Sequence, residues 1–224
     1  MKIEYLPGIV PGQKIDLSKF SEAPKLRVEK LQQLFANRLA AKSLEYNQKF
    51  GQEWLNADGT VKHFDHPDRE EDERLVIMQE KQWSKEVGKS IETWKRDKER
   101  DPSSLTEMGL TVCLQRLLPE RFMVVRSSAY DDYNNGVDQL IIDRETGMVV
   151  CGIDEVIERT GDTGPSKKEE KVRNKMQKGG AKVKYGARVV EGKLVLGSIG
   201  RVPAFYISLS KSDLVKLGAA LEEE

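Results

Sequence analysis

Cysteine is scarce in this chain. Cys113 and Cys151 are the only two, each inside an apolar run. That excludes a disulfide framework, favours two buried thiols, and makes a reducing cytoplasm the expected compartment. Long hydrophobic runs are missing too. No stretch approaches the roughly 18–20 apolar residues that cross a bilayer, and the opening MKIEYLPGIVPGQKIDL has no signal-peptide pattern. The expectation is a soluble cytoplasmic protein with no membrane partner. Net charge is absent, since 37 Lys and Arg balance 37 Asp and Glu. As a whole the molecule is therefore not an obvious polyanion binder. There is no internal repeat and no low-complexity tract.

Charge is present locally. Ser166 to Arg188 carries nine Lys or Arg against two Glu, and Asp58 to Glu80 carries eight Asp or Glu against three Lys or Arg. The zero sum hides a basic segment and an acidic one. The length, 224 residues, suits one domain or one core with an appendage.

Three zones follow along the chain. Residues 1–21 are rich in Pro and Gly and read as irregular. Residues 22–101 read as two long amphipathic helices. One stripe runs through Val28, Leu31, Phe35, Leu39, Tyr46, Phe50 and Trp54, the other through Val76, Trp83, Val87, Ile91 and Trp94. The tryptophans are expected in the core or in the seam between the helices. The loop HFDHPD (His63–Asp68) has metal-type residues but reads as a helix entry, with Asp68 as cap or first-turn charge. The third zone begins with a helix from about Ser104 to Leu118, ended by Pro119. A strand follows over Arg121–Ser127, then a hairpin over Gly136–Val156, and a charged helix over Ser166–Gln177. A second hairpin, AKVKYGARVVEGKLVLG, a strand over Val202–Ser210 and a closing helix complete the order. It predicts an α/β (α+β) sandwich with a mixed sheet.

The first hairpin carries the chemistry. A Glu145-Thr146-Gly147 turn pairs Arg144 with Met148. Steps of two then set Ile142 opposite Val150, Leu140 opposite Gly152, and Asp138 opposite Asp154. Facing Cβ atoms lie about 4.5–5.5 Å apart, and two carboxylates at that spacing invite a hard divalent cation. The bland alternative leaves Asp138 at a strand end and Asp154 in solvent. Glu107 shares the sheet-facing stripe of its helix with Leu110 and Leu114. It is also the fourth residue of a capping box, Ser104-Leu105-Thr106-Glu107. The basic stretch after the hairpin, with Tyr185, reads either as a phosphate-neutralising surface or as a solvated helix face. Gly179-Gly180 reads as a close-approach loop or as a helix C-cap.

A helix with an acidic residue, a strand, and a hairpin with an aspartate on each strand resemble the PD-(D/E)XK nuclease superfamily. The resemblance spans Ser103 to about Ser210. It implies a restriction-endonuclease-like mixed β-sheet core flanked by helices (102–224), with a long-helical N-terminal region (1–101). It also implies Mg²⁺ or Mn²⁺ held by Asp138 and Asp154 with support from Glu107. Val137-Asp138 stands where the family has Pro-Asp, and Glu155 is the variable position. Val156 replaces the family's lysine and can neither donate a proton nor carry charge. The missing ammonium is then expected from Lys171, Lys175 or Lys184. The implied function is metal-dependent hydrolysis of phosphodiester bonds in nucleic acid, DNA ahead of RNA. The alternative is a catalytically inactive protein of the same fold that binds nucleic acid or a protein partner. The long N-terminal helices offer a homodimer seam.

Overall fold

The computed structural model describes residues 24–157, 167–210 and 216. The expected irregular start and all but Lys216 of the closing helix lie outside the described residues. Along the described chain run α1 (Pro24–Phe50), α2 (Arg69–Glu86), α3 (Ile91–Lys98), α4 (Pro102–Leu117), β1 (Phe122–Arg126), a π-helical turn (Asp131–Asn135), β2 (Gln139–Asp143), β3 (Val149–Ile157), α5 (Lys167–Gln177), β4 (Ala181–Val190), β5 (Lys193–Val202) and β6 (Ala204–Leu209).

The α1 stripe is apolar at helical spacing, and it is buried within the chain. Leu31, Phe35 and Leu39 pack against Leu105, Met108 and Val112 of α4. Phe35 and Leu39 are completely buried, each contributing about 1.5–3 kcal/mol by leaving water. Farther along, Tyr46, Trp54, Leu55 and Val61 enter the larger core built around the sheets. The second stripe does not form one helix. It breaks into α2 and α3 between Val87 and Ser90, and Ser90 caps α3 by accepting the Thr93 N–H at 3.2 Å.

The capping box is also corrected. Helix α4 starts at Pro102, and Asp101 caps it by accepting the Ser103 N–H at 2.8 Å. Pro102 at the first helical position lacks only an N–H the helix would leave unused. Ser104 and Glu107 are therefore interior helical residues, not a cap pair.

The main sheet has the order β1-β2-β3-β6, antiparallel except for the parallel β3–β6 pair. β4 and β5 form a separate two-stranded antiparallel sheet, as expected for that hairpin. α4 lies on one face of the main sheet, where Gln139 of β2 donates to Thr111 Oγ1 at 2.7 Å. On the other face, Met123, Val125, Leu140 and Ile142 pack with Val183, Tyr185, Ala187 and Val189 of β4 and with Val172 of α5. The architecture is thus α+β, a mixed sheet flanked by helices.

The β2–β3 register holds at the deep end only. Leu140 pairs with Gly152 and Gln139 with Ile153, as the spacing predicts. A bulge between Ile141 and Ile142 then sets Ile142 opposite Val149, not Val150. Val150 and Met148 are exposed, so the expected apolar face near the turn is not continuous.

Candidate active site

The undisturbed part of the β2–β3 ladder ends at the Gln139–Ile153 pair, one residue short of each aspartate. Asp138 precedes β2 by one residue; its N–H donates to Ile153 O at 2.8 Å and its Oδ2 accepts the Glu155 N–H at 2.7 Å. These bonds fix Asp138 beside Asp154. Both are nearly fully buried, at 5% and 3% exposure. Burying carboxylates is costly unless charge or hydrogen bonds answer them. Glu155 is also buried but does not line the cavity described next.

Asp138 and Asp154 line a cavity of about 630 Å³ together with Glu107, the α5 residues Lys171, Asn174 and Lys175, and Lys178 just after that helix. Five of the six residues singled out in the sequence therefore meet in one place. Lys175 comes nearest to the acidic pair. Its Nζ lies 3.7 Å from Asp154 Oδ2 and donates to Gly136 O at 2.7 Å. Gly136 is left-handed (φ 57°), and a Cβ there would stand 2.7 Å from that Nζ and 3.3 Å from Asp154 Oδ2. Glycine at this position supplies the backbone conformation and keeps the lysine's approach open.

Glu107 reaches the cavity from α4 but is engaged by Arg126, whose Nη2 donates to its Oε2 at 3.0 Å. Any metal-supporting role requires Glu107 to share that guanidinium.

Lys184 is elsewhere. Its Nζ pairs with Asp72 Oδ2 at 2.7 Å and Asp68 Oδ2 at 2.9 Å. Tyr185 Oη donates to Asp72 Oδ2 at 2.7 Å, and the His63 ring stacks on Tyr185 with centroids 4.3 Å apart. HFDHPD is thus a helix entry joined to β4. Asp68 sits at the α2 N-cap position without a side-chain capping bond and binds Lys184 instead. Of the three lysines singled out in the sequence, Lys184 is the one that does not line the cavity.

Sequence reasoning missed a carboxylate and three aromatic residues at the cavity. Asp132, from the π-helical turn, also lines the cavity and shares a hydrogen bond with Asp138. Burial pushes its carboxyl up to about 6, the Glu107 charge adds to this, and Lys98, Asp138 and Arg126 act against it. A single extra residue in a helical turn has no compositional signature, so DDYNN gave no warning. Trp83 and Trp94 are half-buried and line the cavity beside Tyr133, whereas Trp54 is core as expected.

Among the described residues no group of three or more His, Cys, Asp or Glu is arranged to hold a metal ion by itself. The donor set on offer is the Asp138–Asp154 pair, with Asp132 and Glu107 beside it. Such a set suits Mg²⁺, which takes one or two carboxylates and keeps water and substrate phosphate in the rest of its shell.

In comparisons with known proteins, no family model, no curated protein and no solved structure matches the chain.

Proposed function

We propose that the protein is a divalent-metal-dependent nuclease, or nuclease-like protein, with a restriction-endonuclease-like core acting on phosphodiester bonds of nucleic acid. One observation carries the reading: Asp138 and Asp154 meet on the wall of a cavity that also holds Lys175.

In this reading Asp138 and Asp154 hold Mg²⁺ or Mn²⁺, which when bound polarises the phosphoryl oxygen and acidifies a water. The Glu155 N–H holds the Asp138 carboxylate in place before substrate arrives, so orienting it costs little at the moment of reaction. Lys175 supplies the ammonium that Val156 cannot. From beside Asp154 it donates a hydrogen bond to the attacking water or to a phosphoryl oxygen. Lys171 and Lys178 meet backbone phosphates along α5.

A second reading, a catalytically inactive protein of this fold that binds nucleic acid or a protein partner, has two supports. They are Val156 at the lysine position and Arg126 on Glu107.

Calorimetry with Mg²⁺ and Mn²⁺ tests the first reading. Wild type is expected to bind saturably, and Asp138→Asn to weaken binding about tenfold or more. EDTA should stop cleavage of an oligonucleotide substrate. The absence of both metal binding and cleavage, with oligonucleotide present, would remove the enzyme reading.

A further inference from the structure

The nucleic-acid reading of the site leaves one wall of the cavity unexplained. Trp83 of α2, Trp94 of α3 and Tyr133 of the π-helical turn gather there. The Trp83 and Trp94 ring centroids are 5.9 Å apart, and those of Trp83 and Tyr133 are 4.8 Å apart, edge to face. Lys98 Nζ sits over this cluster, 4.4 Å from the Tyr133 centroid and 5.5 Å from that of Trp94, and donates to Tyr133 Oη at 2.9 Å. Two half-buried tryptophans on cavity-lining helices do little for the core. α3 has no buried residue at all.

A different wall, from α5 and the residue that follows it, is basic. Lys171, Asn174, Lys175 and Lys178 all line the cavity. Their three- and four-residue spacing puts them on one helical face. Lys171 and Lys178 are exposed. One cavity thus combines flat aromatic rings, a row of cations and a carboxylate pair. Paired bases stack on each other and present phosphates and groove edges outward. An unpaired strand lays a base on an aromatic ring, with its phosphates along a basic track, without the free-energy cost that a duplex meets in flipping a base out. A volume near 630 Å³ falls within the roughly 300–1,000 Å³ of sites that enclose a small ligand.

We infer that the cavity takes single-stranded nucleic acid, with a base against Trp94 and Trp83, phosphates along Lys171 and Lys178, and the scissile bond toward Asp138 and Asp154. The inference rests on the nucleic-acid reading above and specifies its substrate class. Lys98 holds the rings in place and adds positive charge beside the base.

The test is fluorescence anisotropy on the full chain in EDTA. A short labelled oligothymidylate is compared with the same strand annealed to oligodeoxyadenylate, and cleavage of both is followed in parallel with Mg²⁺. The single strand should bind at least about tenfold tighter than the duplex and quench tryptophan emission. Trp94→Ala should weaken that binding roughly 5- to 100-fold, with Trp94→Phe recovering most of it. Since no residue of α3 is fully buried, the substitution is expected to leave the fold standing, which far-UV dichroism verifies. Equal or tighter duplex binding, or no effect of Trp94→Ala, overturns the inference. If only duplex is cleaved, the inference fails and the nuclease reading survives. If the single strand is bound as described and neither form is cut, the inference survives and the nuclease reading fails. Absence of both binding and cleavage overturns both.

Discussion

Lys175 and Lys184 are equally basic in the sequence and differ in everything else. Lys175 stands 3.7 Å from Asp154 and points into the cavity, while Lys184 joins β4 to the start of α2 through Asp68 and Asp72. The two substitutions should therefore separate. Lys175→Ala is expected to lower metal-dependent cleavage by the folded protein about 100-fold or more. Lys184→Ala should leave cleavage of the folded enzyme in place. It should also cost about 2–4 kcal/mol in a urea titration, because Asp72 is then left buried without its cation. The opposite pattern would move the missing ammonium to β4. No sequence rule distinguishes these lysines, since the partner of each is fixed by contacts far along the chain.

At the scale of elements, regular periodicity was legible and irregularity was not. The expectation that Asp138 faces Asp154 follows from counting along two alternating strands, and the count holds from Gln139 to Ile141. It fails at the bulge, where one extra residue changes the face without changing composition. The α2–α3 break was hidden because the Trp83–Trp94 spacing satisfies a helix on either side of it. The tryptophans were assigned to the core because an apolar stripe looks the same whether it meets another helix or a cavity. The hairpin turn is held by a close approach: Gly147 has φ 72°, and a Cβ there would lie 1.7 Å from Val189 O of β4. Gly147→Ala should therefore destabilise the fold by more than the roughly 1–3 kcal/mol of backbone strain alone. Chemical denaturation would reveal this, and a change under about 0.5 kcal/mol would mean that the loop does not dock on β4.

Across the whole molecule, the zero net charge has a partial structural account. Part of the acidic segment (Asp68, Asp72) folds onto part of the basic one (Lys184), and Lys171 and Lys178 remain exposed at the cavity. The same junction contains His63, whose pKa is lowered by burial despite the opposing pull of Glu73, Asp131 and Asp72. Below a pH of about 6.5 the unfolded chain therefore takes up a proton that the folded chain declines, so stability falls as pH falls through that range. His63→Phe keeps a ring on Tyr185 and removes the titration. Its melting temperature should drop less than that of wild type between pH 7 and pH 5, and parallel curves would rule His63 out as the cause. The parallel β3–β6 pair has a consequence in time. Asp154 lies opposite Tyr206 in that ladder, and α5, β4 and β5 all come between them in the chain. A nascent chain leaving the ribosome carries both aspartates, yet β3 keeps an open edge until β6 has emerged. α5, which carries the cavity's lysines, packs on β6, where Ala204 N–H meets Met176 Sδ, so the basic wall is seated only once β6 has emerged.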